Sequence, residues 1–213
     1  MRAGRLPQIG RNVLTAIYAF DPGSPAALDI GRTVAQMHAQ QWPIRFGLLP
    51  VVPALAAQAA GSSGSAGPSP SETVGRLLTI VSESFGAGWA ARFLGEVRQQ
   101  IDPAVDHSAQ FEEQLLLKAR QVFLARWKQW AAEARTTPKA RAAGRLAPPV
   151  ALQRALEGVA GGEGVLPFLE GAASLAVSTG IAGGCAGPGW MAHVGGAGGA
   201  ATPLAFCWCA PLM

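Results

Sequence analysis

The stretch NVLTAIYAFDPGSPAALDIGRTVAQMHAQQWPIRFGLLPVV, residues 12–52, constrains the fold more than any other part of the chain. Val13 to Phe20 is a nearly unbroken apolar run without clean alternation, the pattern of a strand buried on both faces of a parallel sheet. Asp21-Pro22-Gly23 then supplies turn chemistry, Ser24 can accept from the free N–H groups of a helix, and Pro25 suits a first helical position. Ala27, Ile30, Val34 and Met37 recur at spacings of three and four, giving that helix one apolar face, and Trp42-Pro43 ends it. Ile44 to Val52 reads as a second strand, in which Ile44, Phe46 and Leu48 alternate with Arg45, Gly47 and Leu49 before Pro50 restricts it. Two strands joined by a helix of this length are expected to be parallel with a right-handed crossover, so residues 1–53 are read as a βαβ unit.

Residues 54–68 are read as a flexible linker, because AAGSSGSAGPSPS is too rich in Gly, Ser and Pro to pack. Ser69 and Glu72 then form a capping box around Pro70, and Val74, Leu77, Leu78, Val81 and Phe85 trace the apolar stripe of a helix. A second helix runs through Trp89, Phe93, Val97 and Ile101 and ends near Asp102-Pro103. A third, from about Ser108 to Ala134, shows Phe111, Leu115, Ala119, Val122, Phe123, Trp127 and Trp130, with acids early and bases late as the helix dipole favours. Residues 69–135 are therefore expected to be a helical insertion. Residues 136–149, basic and Pro-containing, read as a linker. Residues 150–182 offer a short helix, Val150 to Val159, and a candidate strand, Leu175 to Ile181, by which the chain would return to the sheet. Residues 183–213 read as a disordered Gly/Ala-rich tail.

The chemistry-bearing residue types are sparse. Every Asp, Glu, Lys and Arg lies at or before Glu170, and the net charge of +4 is spread along the chain, with acids interrupting the densest basic run, Lys118 to Arg145. That run reads as a solvated helix face and a basic linker, so no nucleic-acid partner is expected. MRAGRLPQIGR lacks the apolar stretch of a signal peptide, no retention signal is present, and Gly171 to Cys185 falls short of a membrane span. The cysteines, Cys185, Cys207 and Cys209, contain no C-x-x-C, and the C-W-C spacing suits neither a dithiol redox site nor a zinc knuckle, which leaves them structural or incidental. No D-x-D occurs; Asp102 and Asp106 flank a helix boundary; His38, His107 and His193 lack metal-ligand spacing; and the adjacent Glu112 and Glu113 point in different directions. Gly196 to Ala201 matches G-x-G-x-x-A, but Pro203 would break the helix such a loop opens. Trp127 and Trp130 read as core or interface anchors. No catalytic, cofactor-binding or metal-ligating residue is assigned.

RNVLTAIYAFDPGSPAALDIGRTVAQMHAQQWPIRFGLLPVVP, Arg11 to Pro53, resembles a thioredoxin-like domain in the folding-sensor region of UDP-glucose:glycoprotein glucosyltransferases. The likeness follows an order: Arg-Asn before an apolar strand, an Asp-Pro and Ser-Pro turn, an amphipathic helix, then Pro-Ile-Arg-Phe-Gly opening the next strand. The helices from Ser69 to about Gln100 and the segment Glu112 to Lys118 fit the family more loosely. The resemblance implies an α/β fold, a thioredoxin-like βαβ unit with a helical insertion. On this reading it is incomplete at the C-terminus, because AGGCAGPGWMAHVGGAGGAATPLAFCWCAPLM shows neither an alternating hairpin nor a closing helix.

Family membership would place the chain in the endoplasmic reticulum lumen, with the parent enzyme's other domains and misfolded glycoproteins as partners. It assigns UDP-glucose and a divalent cation to a separate catalytic domain, a hexosyltransferase, so no cofactor is expected in this chain. In a redox thioredoxin a C-x-x-C stands at the helix N-terminus, where the dipole lowers a thiol pKa. Asp21-Pro22-Gly23-Ser24 stands there instead, and neither a carboxylate nor a hydroxyl exchanges disulfides. The chain is thus expected to be a non-catalytic segment. The alternatives are a thioredoxin-fold oxidoreductase using Cys207 and Cys209, or a truncated gene product without stable function.

Overall fold

The computed structural model describes residues 14–61, 69–106, 109–134, 137–157, 165–178, 190–193 and 204–207. Strand β1, Leu14–Phe20, and strand β2, Ile44–Pro50, pair in parallel from Leu14↔Ile44 to Phe20↔Pro50, with helix α1, Pro25–Ala39, as their crossover. α1 starts as its sequence dictates, since Ser24 Oγ accepts from Ala27 N at 3.2 Å and Pro25 takes the first turn. Its buried face is Ala27, Leu28, Gly31 and Val34. A short helix that the linker reading missed, α2, Pro53–Ala59, follows β2 and buries Leu55 and Ala56.

The helical insertion is present. Helix α3, Pro70–Phe85, is capped by Ser69 Oγ accepting from Glu72 N at 3.1 Å; α4, Ala87–Gln99, follows; a 3-10 turn, Pro103–Val105, leads to α5, Ala109–Glu133. Their shared core is aromatic. Phe85 lies 4.9 Å from Trp127 ring to ring, Phe93 lies 6.0 Å from Trp130, and Phe123 lies 4.9 Å from Trp127. Trp127 and Trp130 are fully buried, as core anchors should be.

Three further expectations need correction. The basic linker contains a helix, α6, Pro138–Arg145, capped by Thr137 Oγ1 accepting from Ala140 N at 3.1 Å. It is too short to persist alone. Ala140 and Ala143 are buried, and Trp127 Nε1 and Lys128 Nζ donate to Ala143 O and Gly144 O at 3.2 and 2.8 Å, so tertiary contact with α5 holds it. After helix α7, Pro148–Leu156, the candidate strand from Leu175 belongs instead to helix α8, Val165–Ser178; residues 179–181 lie outside the described residues. Leu169, Ala172, Ala173 and Ala176 recur at helical spacing and are buried, with α8 packed on α2 and α3, so the helical period wins over the local apolar content.

The third correction concerns the C-terminal end. β3, Trp190–His193, pairs antiparallel with β1 from Ala16↔His193 to Ala19↔Trp190, and β4, Leu204–Cys207, pairs antiparallel with β3. The sheet is four-stranded in the order β2-β1-β3-β4. WMAH and LAFC are each too short for alternation to show, and β1 supplies a template that periodicity cannot reveal. The other residues of 183–213, and the expectation of disorder there, lie outside the described residues.

α1 and α4 make the most extensive helix–helix contact. A Cβ added at Gly31 would fall 2.3 Å from Leu94 Cβ, and one at Gly95 would fall 3.1 Å from Arg32 Cα. Beside this crossing, Arg98 reaches Asp29 of α1 at 2.8 Å and grips Asp106 through two bonds of 2.7 and 2.6 Å. Among the described residues no helix is long and apolar enough to cross a membrane.

Gly31→Ala tests the crossing. Helix propensity favours Ala over Gly by about 1 kcal/mol, but overpacking against a Cβ that cannot rotate away costs about 1–3 kcal/mol. The variant is therefore expected to lower the denaturant midpoint. Gly171→Ala, in α8 with nothing within 4 Å of the added atom, is expected to raise it by up to about 1 kcal/mol of stability. Equal responses of the two variants would contradict the close crossing.

Candidate functional site

The turn between β1 and α1 is the place where a fold of this topology presents reactive groups, since it joins the end of a central strand to a helix N-terminus. Here the turn is closed upon itself. Asp21 Oδ1 accepts from Gly23 N at 2.8 Å, while Asp21 O accepts from Ser24 N at 3.1 Å and from Ser24 Oγ at 2.9 Å. The Ser24 hydroxyl thus donates to a backbone carbonyl and accepts from Ala27 N, and its bonds leave it unactivated as a nucleophile.

The N-terminus of α3 sits on this turn. A Cβ at Gly23 would lie 2.2 Å from Ser71 Oγ, so only glycine permits the approach. Pro22 is buried, with a Cβ at Gly75 placed 3.4 Å from its Cγ, 3.5 Å from Leu169 Cδ2 and 3.5 Å from Val52 Cγ2. Burial pushes the Asp21 carboxyl above the ordinary carboxylate range, and the negative field of Glu112 adds to it; the Gly23 N–H and the Ser71 hydroxyl pull the other way and do not overcome it. A position that a redox protein keeps open to its substrate is here a seat for a helix.

The other residues weighed from sequence have structural places. Asp102 Oδ1 caps the 3-10 turn by accepting from Ala104 N at 2.9 Å, and Asp106 is held by Arg98, so this pair does not converge on a shared site. Glu112, Glu113 and His38 are exposed. His193 lies in β3 and Cys207 ends β4, while His107, Cys185, Cys209 and Gly196 to Ala201 lie outside the described residues. Among the described residues no group of three His, Cys, Asp or Glu side chains could hold a metal ion.

Sequence reasoning missed a second feature. Beside β2 lies a cleft of about 620 Å³ lined by Trp42, Trp89, Phe46, His38 and Arg45, and further along the strand a separate cavity of about 230 Å³ is lined by Leu48, Pro50, Leu78 and Phe168. The available signal was Pro50, because proline inside a strand marks a sheet edge.

A parallel crossover pair extended by an antiparallel hairpin, with helices packed about it and a self-bonded turn in place of a dithiol, defines a thioredoxin-like domain whose redox turn carries no cysteine. The family model described as a thioredoxin-like domain matches residues 1–141, and the chain belongs to that family. No curated protein and no solved structure matches the chain.

The raised Asp21 pKa has a definite sign in stability. A carboxyl whose folded pKa exceeds its unfolded value of about 3.9 binds more protons in the folded state, so its contribution is present at lower pH and lost as pH rises through the folded pKa. Asp21→Asn removes that dependence while keeping an acceptor for Gly23 N. Denaturant midpoints of the variant relative to the parent chain are expected to improve as pH rises above the unfolded carboxyl pKa and to level off once pH passes the raised folded pKa. A difference that is flat or declines with pH would contradict the buried setting of Asp21.

Proposed function

We propose that this chain is a non-catalytic thioredoxin-like segment of a UDP-glucose:glycoprotein glucosyltransferase and works in the folding-sensor region of that enzyme. The observation that carries the non-catalytic part is the turn Asp21-Pro22-Gly23-Ser24, bonded to itself and roofed by α3. Membership in the thioredoxin-like family and the ordered motif from Arg11 to Pro53 support the rest. On this reading the transfer of glucose from UDP-glucose to N-glycans, with its divalent cation, belongs to a separate catalytic domain. The chain contributes surface toward the enzyme's other domains and toward misfolded glycoproteins in the endoplasmic reticulum lumen.

The full chain, shown to be folded, is to be co-expressed with the catalytic and remaining sensor domains of such an enzyme. Co-purification and restored reglucosylation of a misfolded glycoprotein are expected; the absence of both would overturn the reading. The chain by itself is expected to reduce insulin with dithiothreitol no faster than buffer, and to leave UDP-glucose unchanged with manganese or calcium. Insulin reduction that disappears in Cys207→Ser or Cys209→Ser would instead establish an oxidoreductase.

A further inference from the structure

Among the described residues β2 pairs with β1 on one side and with no strand on the other. The pairing fixes which backbone groups face outward. Val51 N donates to Phe20 O at 2.8 Å, beside the pair Phe20↔Pro50. Alternating positions share a direction, so Leu49, Gly47 and Arg45 turn their N–H and C=O toward β1, whereas Pro50, Leu48 and Phe46 turn theirs away. Pro50 agrees, since its missing N–H is tolerated where a strand faces outward. Among the described residues two complete donor–acceptor pairs, those of Phe46 and Leu48, remain along this edge.

The same two residues line the two cavities, Phe46 the larger beside Trp42 and Trp89, Leu48 the smaller beside Phe168. Trp42 and Phe168 are 49% and 44% exposed. Ile44, Phe46, Leu48 and Leu49 are only half-buried, in contrast to the buried Tyr18, Ala19 and Phe20 of β1. Arg45 is exposed, and among the described residues no carboxylate pairs with it.

We infer that the outer edge of β2 is a strand-addition site for an extended segment of a partner polypeptide. The free edge itself selects the occupant, because a row of outward N–H and C=O groups is matched in register only by another extended backbone. Sockets at residues two apart repeat the strand period and take alternate apolar side chains. Arg45 favours a segment with an acidic residue toward the Trp42 end. The inference rests on the sheet edge alone and stands or falls independently of the glucosyltransferase reading.

Residue-resolved amide hydrogen exchange of the full chain tests it. The probe is a seven-residue peptide, the length of β2, alternating valine and threonine with a terminal glutamate; the controls are this peptide and its lysine counterpart N-methylated at every residue, which leaves neither edge able to donate. In the free chain Phe46 and Leu48 are expected to exchange faster than Gly47 and Leu49. The peptide is expected to slow the first two by about tenfold or more, and the N-methylated forms to leave them unchanged. Arg45→Glu is expected to weaken the glutamate peptide by roughly two- to fivefold, as for an exposed ion pair, and to favour a lysine counterpart. Protection of Phe46 and Leu48 already in the free chain would overturn the proposal, as would no slowing at millimolar peptide or equal slowing by the N-methylated peptides.

Discussion

The close crossing of α1 and α4 is the contact on which the rest of the arrangement depends. α1 is fixed to the sheet because it is the crossover between β1 and β2. α4 can lie against it only because Gly31 and Gly95 carry no Cβ where the helices meet. Through α4 the whole aromatic layer of α3 and α5 is placed relative to the sheet. Arg98 reinforces the placement. Its side chain is 10% exposed, and the Asp106 bonds first, then Asp29, hold it charged by raising its pKa further despite partial desolvation. Such a group favours one arrangement strongly, since loss of either carboxylate leaves a poorly solvated charge behind.

Once docked, α3 acts at both of its ends. Its N-terminus covers the turn after β1, where Ser71 meets Gly23 and Asp21. Its C-terminal half stands off from β2 and leaves the cavity lined by Leu48, Leu78 and Phe168. The electrostatics of the turn are the reverse of those in a redox site. There, the helix dipole stabilises a thiolate and lowers its pKa. Here, desolvation by the packed helix outweighs the hydrogen bonds to Asp21 and raises its pKa. A turn that holds an anion poorly and is shielded by a helix is suited to structure, while half-buried apolar side chains lie along β2.

The parts legible in the sequence were those set by local rules. The βαβ unit followed from the apolar run of Val13 to Phe20 and the capped turn at Ser24, and three insertion helices followed from their stripes and the Ser69 cap. The missing dithiol at Asp21 to Ser24 was equally plain, because it is a matter of residue type. What could not be read depends on partners distant in the chain. α6 is ordered by Trp127 and Lys128 of α5, α8 by its packing on α2 and α3, and the short strands β3 and β4 by a register that β1 imposes. The cleft along β2 is of the same kind: Trp42 ends one helix, Trp89 opens another, and nothing local says that they border one groove.

Stability is distributed unevenly between the layers, and this bears on where the domain can recognise anything. Phe93, Phe123, Trp127 and Trp130 are fully buried among helices, each contributing on the order of 2–3 kcal/mol of transfer free energy. That outweighs the Trp130 Nε1 group, buried without a hydrogen-bond partner among the described residues, which costs about 1–3 kcal/mol. The sheet has no comparable reserve at its rim. In β2 Ile44, Phe46, Leu48 and Leu49 are half-buried, and β4 is four residues long. Strands with few buried contacts open at lower free energy than a packed core, so the helical layer supplies most of the rigidity of the domain.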